Sequence, residues 1–204
     1  MKTKEKILSK SLELFNDKGL TEITLRKIAL ELGISQGNLN YHFARREDIL
    51  YALYLNLVEE INVVFLSSGE KELDLNFMFE LGSVIFESFY KYRFLMLDFV
   101  QVMRENPKIK AHYIELSKQR KQQFLVMFEL LEAKGVLKPQ AYEGQYDSLY
   151  IRLSIMSDFW VASAFTTHQK VTEQIKQEYL GIINASIYPY LTIKGQKDFK
   201  MILM

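Results

Sequence analysis

An all-α fold is predicted by three features of the sequence. Apolar residues recur at spacings of three and four along the whole length. No stretch sustains the alternation expected of a strand. Only three prolines and nine glycines interrupt 204 residues, so long helices are expected. A hydrophobic content of 49% in a chain of this length suffices for one sizeable core, or for a small domain attached to a larger one. About nine helices are expected in all.

The first helix is placed over residues 3–17, with Ile7, Leu8, Ser11, Leu12, Leu14 and Phe15 as its buried stripe. Gly19 ends it, because glycine takes the left-handed stop conformation without a Cβ clash. Thr24 follows as an N-cap whose hydroxyl can accept a bond from an unpaired amide of the next turn. Leu25, Ile28, Ala29 and Leu32 continue at helical spacing until Gly33. Ser35 caps a third helix, whose inner face is Leu39 and Phe43. A long fourth helix runs over about 46–66 through Ile49, Leu50, Leu53, Leu57, Ile61 and Val64, and Ser67-Ser68-Gly69 breaks it. Five more helices are placed at 74–91, 93–105, 107–134, 140–167 and 172–191. Pro107 suits a first helical position, where its missing amide costs nothing. Thr172 caps the last helix and Pro189 lies near its end. The tail, 192–204, is left unassigned, with enough apolar residues to pack as a short extra helix.

Thr24 to Phe43 is the informative segment. Two short helices are separated by Leu32-Gly33-Ile34-Ser35, where glycine lets the chain reverse and the next apolar residue plugs the gap. This is a helix-turn-helix, and its second helix can enter a DNA major groove. Such a helix needs a polar outer face over an apolar inner one. Gln36, Asn38, Asn40, Tyr41 and His42 supply the outer face. Gly37 removes side-chain bulk and lets the backbone approach the duplex. Charge agrees weakly: residues 1–46 hold nine Lys and Arg against five Asp and Glu, and the remainder holds 17 against 20.

Here the sequence resembles the TetR family of bacterial repressors. The residues that carry the resemblance are Ile7-Leu8, Leu12, Leu14-Phe15, Lys18-Gly19, Thr24-Leu25-Arg26-Lys27-Ile28-Ala29, Leu32-Gly33-Ile34-Ser35, Gly37-Asn38-Leu39, Tyr41-His42-Phe43 and Glu47-Asp48-Ile49-Leu50. They span about residues 5–53, a quarter of the chain. The resemblance implies a DNA-binding helix-turn-helix domain at 1–46, helix four as connector, and a helical ligand-binding and dimerisation domain at 47–204. It makes Thr24, Tyr41 and Arg46 phosphate contacts, with Arg46 standing where the family usually has lysine. Arg26, Lys27, Ser35, Gly37 and His42 complete the expected DNA surface. Gln36, Asn38 and Asn40 are the base-edge candidates, since side-chain amides suit adenine. Asparagine at 40 departs from the aromatic more usual in the family.

The resemblance also implies a homodimer through the helices at 140–167 and 172–191. Apolar residues recur there at Leu149, Leu153, Met156, Trp160 and Ala164, and at Ile175, Tyr179, Ile182, Ile183 and Ile187. Dimerisation fits the function, because one recognition helix reads too few base pairs for genomic selectivity. Residues 77–160 are rich in aromatics and methionine, most of them core. Phe94, Met127, Phe128 and Trp160 are singled out as the lining of a cavity for a small apolar or aromatic effector. Gln101, Arg104, His112, Arg152 and Asp158 are candidates for its polar groups.

Other classes fit less well. There is no HExxH, no glycine-rich phosphate loop and no GxSxG, so no catalytic set can be assembled. Cysteine is absent, which removes disulfides and thiolate metal sites. No cofactor or metal is expected. No signal peptide and no run of ~18 apolar residues is seen, so the chain is expected in the cytoplasm. An architectural or division-linked DNA-binding protein without ligand control remains the alternative within the same fold. A third reading keeps the body as a ligand-binding or interaction module that has lost DNA affinity.

Overall fold

The computed structural model describes residues 2–67 and 72–203, with side chains left undescribed at 64–67. Eleven α-helices are described: α1 Thr3–Lys18, α2 Leu25–Leu32, α3 Gln36–His42, α4 Arg46–Ser67, α5 Leu75–Lys91, α6 Arg93–Leu97, α7 Phe99–Glu105, α8 Pro107–Ala133, α9 Gln145–Thr167, α10 Glu173–Ala185 and α11 Ile193–Leu203. No strand occurs among the described residues; Leu137 and Leu191 form an isolated bridge. The expected break at Ser68-Gly69 lies outside the described residues.

Local chemistry sets the N-terminal boundaries. Gly19 ends α1 at φ 74°, and Gly33 ends α2 in the left-handed region at φ 65° and ψ 28°. The Thr24 and Ser35 hydroxyls accept the amides of Lys27 and Asn38, each at 3.2 Å. Further on, Asp74 caps α5 through the Phe77 amide at 2.8 Å.

Three expected helices differ in extent. The helix placed at 93–105 is two, α6 and α7, broken at Asp98, whose φ of −105° and ψ of 22° leave the helical region. Phe94, Leu95 and Met96 of α6 are all buried, so that short helix is enclosed on more than one face. The helix placed at 140–167 starts only at Gln145, after Gly144 at φ 80°. The helix placed at 172–191 stops at Ala185 and passes into a 3₁₀ turn at Tyr188–Tyr190. Pro189 has no amide to continue the α ladder. The tail forms α11, the extra helix.

Two hydrophobic cores hold the molecule. The first joins Ile7, Phe15, Ile28, Leu39 and Phe43 of the head, through Ile49, Leu50 and Leu53 of α4, to Phe94, Met96 and Trp160 of the body. The second gathers Phe77, Phe79, Phe128, Leu131, Tyr146, Ile187 and Phe199 at the far end. There α11 docks on the turn after α8. The Thr192 amide donates to the Val136 carbonyl at 3.0 Å, and the Thr192 hydroxyl to that of Gly135 at 2.7 Å. Gly195 makes this approach possible, because a Cβ there would lie 2.3 Å from the Val136 carbonyl oxygen. We predict that Gly195→Ala lowers stability by about 1–3 kcal/mol, the range for overpacking. Thermal or urea unfolding would check this; an unchanged midpoint would show that α11 does not need this close contact.

Candidate nucleic-acid interface and effector cavity

Helix α3 sits on α2 through Leu39, which is fully buried, and Phe43 closes its end. Its other side is open. Gln36, Gly37, Asn38, Asn40 and Tyr41 are exposed, and Tyr41 is 86% accessible despite its ring. A tyrosine left in water by its own chain is a ring and hydroxyl available to a partner. His42 is half-buried and meets the Tyr41 ring edge-on at 5.2 Å. Thr24 and Ser35 sit at the N-termini of α2 and α3 and are exposed as well as capping. Arg26 is exposed and Lys27 half-buried.

Arg46 is turned back on the protein. One guanidinium nitrogen donates to the Leu20 carbonyl at 2.7 Å, and Nε lies 3.7 Å from Glu47. It ties α4 to the turn before α2. The neighbouring Arg45 has a side chain 76% exposed, with a loose 3.8 Å approach to Asp48. Arg45 was missed in the sequence, where two adjacent arginines offer no signal for which one faces outward.

The body contains a cavity of about 300 Å³ walled by α4 through α9. From α4 come Tyr54, Leu57, Val58 and Ile61, and from α6 come Leu95 and Met96. Phe99 of α7, Tyr113 and Phe124 of α8, and Tyr150 and Asp158 of α9 add aromatic and polar surface. The expected lining residues lie elsewhere. Phe94 is packed on Phe15 of the head, with ring centroids 5.2 Å apart. Met127 and Phe128 belong to the second core. Trp160 stacks on Phe86 at 3.7 Å and lines a smaller void of about 60 Å³. Each is one or two residues, or one helical turn, from a position that does line the cavity.

Of the polar candidates, Asp158 lines the cavity and accepts the Tyr113 hydroxyl at Oδ2, at 2.7 Å. His112 stands behind the wall, with Nδ1 2.9 Å from the Tyr54 hydroxyl. Arg152 bonds the Tyr190 hydroxyl at 2.6 Å and Gln101 bonds Glu105 at 2.9 Å, both on the surface. Arg104 is exposed. Another polar residue went unforeseen. The Asn16 side chain donates to the Lys91 carbonyl at 2.8 Å and accepts the Phe94 amide at 3.1 Å, clamping the start of α6 to α1.

The expected dimer stripes divide between the core and the surface, with Ile182 exposed and Leu153, Met156, Ile175, Tyr179 and Ile183 half-buried. Leu149, Trp160, Ala164 and Ile187 are buried in the chain's own core. Ile155, Phe159 and Ser163 form the outward stripe of α9, and Gly181, Ile182 and Ala185 are exposed on α10.

A helix-turn-helix head fused to a helical body with an internal cavity defines a DNA-binding transcriptional regulator. The chain belongs to the TetR family. Residues 7–53 match the bacterial regulatory proteins of the tetR family, and residues 56–199 match the family described as bacterial transcriptional repressor. A TetR-family transcriptional regulator from Marinobacter aquaeolei is similar at 28% identity and a TM-score of 0.89, over 100% of this chain and 98% of that one. A Saccharomonospora viridis protein described as a transcriptional regulator, solved in complex with choline, is similar in fold at 21% identity and a TM-score of 0.73, over 92% and 96% of the two chains. PfmR from Thermus thermophilus is similar in fold at 15% identity and a TM-score of 0.71, over 89% and 97%. No described helix is long and apolar enough to cross a membrane.

Burial in the cavity wall lifts the Asp158 carboxyl from its ordinary 3.8 to about 6, against the opposing pull of the Tyr113 hydrogen bond. The folded value lies above the unfolded one, so ionising this group weakens the fold. The penalty is absent below pH 3.8, grows as pH rises, and is complete above about pH 6. Asp158→Asn is therefore expected to stabilise the chain by about 1–3 kcal/mol at pH 7.5 and to give no gain near pH 4. Thermal midpoints at the two pH values would check this, and a destabilised variant at pH 7.5 would contradict it.

Proposed function

We propose that the chain represses transcription from operator DNA as a two-fold homodimer, and that a small molecule in the α4–α9 cavity releases it. Residues 1–46 read the DNA, α4 connects, and residues 47–204 dimerise and hold the effector. The observation that carries this reading is the open polar face of α3. Gln36, Asn38 and Asn40 reach base edges. Thr24, Ser35, Tyr41 and Arg45 hold phosphate around them, with Arg26, Lys27, Arg46 and His42 at the border and Gly37 allowing close approach. Two such helices in a dimer read half-sites about one helical turn apart.

Effector control runs through two connections. Helix α4 buries Ile49, Leu50 and Leu53 in the head core and lines the cavity with Tyr54, Leu57, Val58 and Ile61 one turn later. Helix α6 lines the cavity with Leu95 and Met96 while Phe94 rests on Phe15. A ligand that fits one arrangement of these helices better than another shifts the population toward it, and with it the separation of the two recognition helices.

Gel shifts on the DNA upstream of its own gene, followed by genome-wide footprinting, test the regulator. Binding at discrete promoters with altered transcripts supports it. Broad coverage without transcript change marks an architectural protein instead. Tyr41→Ala is expected to weaken binding to all sequences about equally, by about 1–2 kcal/mol, as loss of a phosphate contact does. Gln36→Ala is expected to alter preference at one operator position by about 1–3 kcal/mol. A uniform loss for Gln36→Ala would remove it from the base-reading set. Ile182→Glu is expected to convert the dimer to monomer in sedimentation velocity and to abolish operator binding with the helical circular dichroism unchanged. A variant that remains dimeric would place the interface elsewhere.

A further inference from the structure

Asp158 stands apart from the other polar groups of the cavity. Its Oδ2 is held by the Tyr113 hydroxyl, while among the described residues Oδ1 has no hydrogen-bond partner. Four neighbouring polar residues, Tyr54, Ser117, Arg120 and Tyr150, are committed. The Tyr150 hydroxyl donates to the Ser117 carbonyl at 3.3 Å, and the Ser117 hydroxyl to the Tyr113 carbonyl at 2.8 Å. The Tyr54 hydroxyl is paired with His112. The Arg120 guanidinium is bound to the Asn62 and Gln123 side-chain oxygens. An accepting carboxylate oxygen thus faces a mostly apolar space, whose other polar lining includes Arg120, Tyr150, Ser154 and Ser157. The ring of Tyr113, which holds Asp158, meets that of Phe99 edge-on at 5.1 Å, and both line the cavity.

We propose that this cavity takes an apolar molecule bearing a single ammonium group, with Asp158 as the counter-charge and the neighbouring rings around the cation. The proposal rests on the reading of the cavity as the effector site. Three physical comparisons carry it. A cation beside a carboxylate and ring faces gains from both in a space that excludes water. A neutral apolar molecule leaves Oδ1 without a donor, and an unmet buried acceptor is penalised. An apolar carboxylate meets Asp158 as a like charge, while Arg120, the cation of the lining, is already held by the Asn62 and Gln123 oxygens. The raised pKa of Asp158 agrees, since its charge is destabilised until a cation arrives.

The test uses the full chain at pH 7.5 with three probes of one chain length: octylamine, 1-octanol and octanoate. Calorimetric titration is expected to show octylamine binding about ten-fold or more tighter than 1-octanol. Asp158→Asn should remove that advantage while leaving 1-octanol unaffected. Met103→Trp, which fills the cavity from α7, should abolish binding of every probe. The ammonium assignment is overturned if 1-octanol or octanoate binds as tightly as octylamine, if the amine's advantage survives in Asp158→Asn, or if no probe binds. When such binding is still lost in Met103→Trp, the cavity stands as a ligand site of another class. Binding that is indifferent to Met103→Trp overturns the effector-site reading itself.

Discussion

The structure depends on α4 belonging to two environments at once. Ile49 and Leu53 are almost wholly buried in the core of the helix-turn-helix, and Tyr54 and Leu57, within the next turn, already wall the cavity. Because the apolar core continues from Phe43 through α4 to Met96, nothing between head and body behaves as a flexible tether. Close-packed interiors transmit displacement because they hold few voids to absorb it. A head joined by a loose linker would rotate freely and lose any fixed spacing between paired recognition helices. On the proposed reading, the rigidity of this junction is a condition for reading two half-sites and a route by which the cavity acts on the head.

The polar groups at the junction sharpen this point. Asn16 satisfies one carbonyl and one amide where α5 turns into α6, and Arg46 satisfies the carbonyl of Leu20 before α2. The Phe94 amide and the Leu20 carbonyl, both at partly buried sites, would otherwise lack these partners. One side chain from the head, Asn16, thus completes hydrogen bonding of the body, and one from α4, Arg46, completes that of the head. The arrangement fixes relative orientation more closely than apolar contact alone, since hydrogen bonds weaken steeply with angle.

Much of the head was legible in the sequence because its signals are local. Gly19, Gly33, Thr24 and Ser35 stop or start helices through their own chemistry, and Leu39 with Phe43 leaves Gln36, Asn38, Asn40 and Tyr41 on the far side by helical geometry. The body was legible as helices but not as a cavity. Phe94 and Leu95 differ by about 100° around a helix, so a one-residue choice decides between the head and the void, and composition cannot make it. The break at Asp98 was hidden because both halves carry helical spacing and no glycine or proline stands between them. Leu149, Trp160 and Ala164 read as a contact stripe because periodicity reports an apolar face without saying whether it meets the same chain or another copy. The bonds of Asn16 and Arg46 to distant backbone gave no signal, because the groups they bind lie at least 26 positions away.

The position of Asp158 bears on how such a protein can switch. Moving an equilibrium from one strongly favoured state to the other takes about 5.5 kcal/mol of differential binding. An apolar ligand obtains that difference only from shape. A buried, half-partnered carboxylate adds a second source, because its charge is penalised only while the walls close around it. On the proposed reading, a cation that removes the penalty favours whichever arrangement of α7, α8 and α9 encloses it most fully. Leu95 and Met96 of α6 line the same cavity, and Phe94 of that five-residue helix is seated on the head. In that reading, this packing of Phe94 on Phe15 is the shortest path from cavity to head.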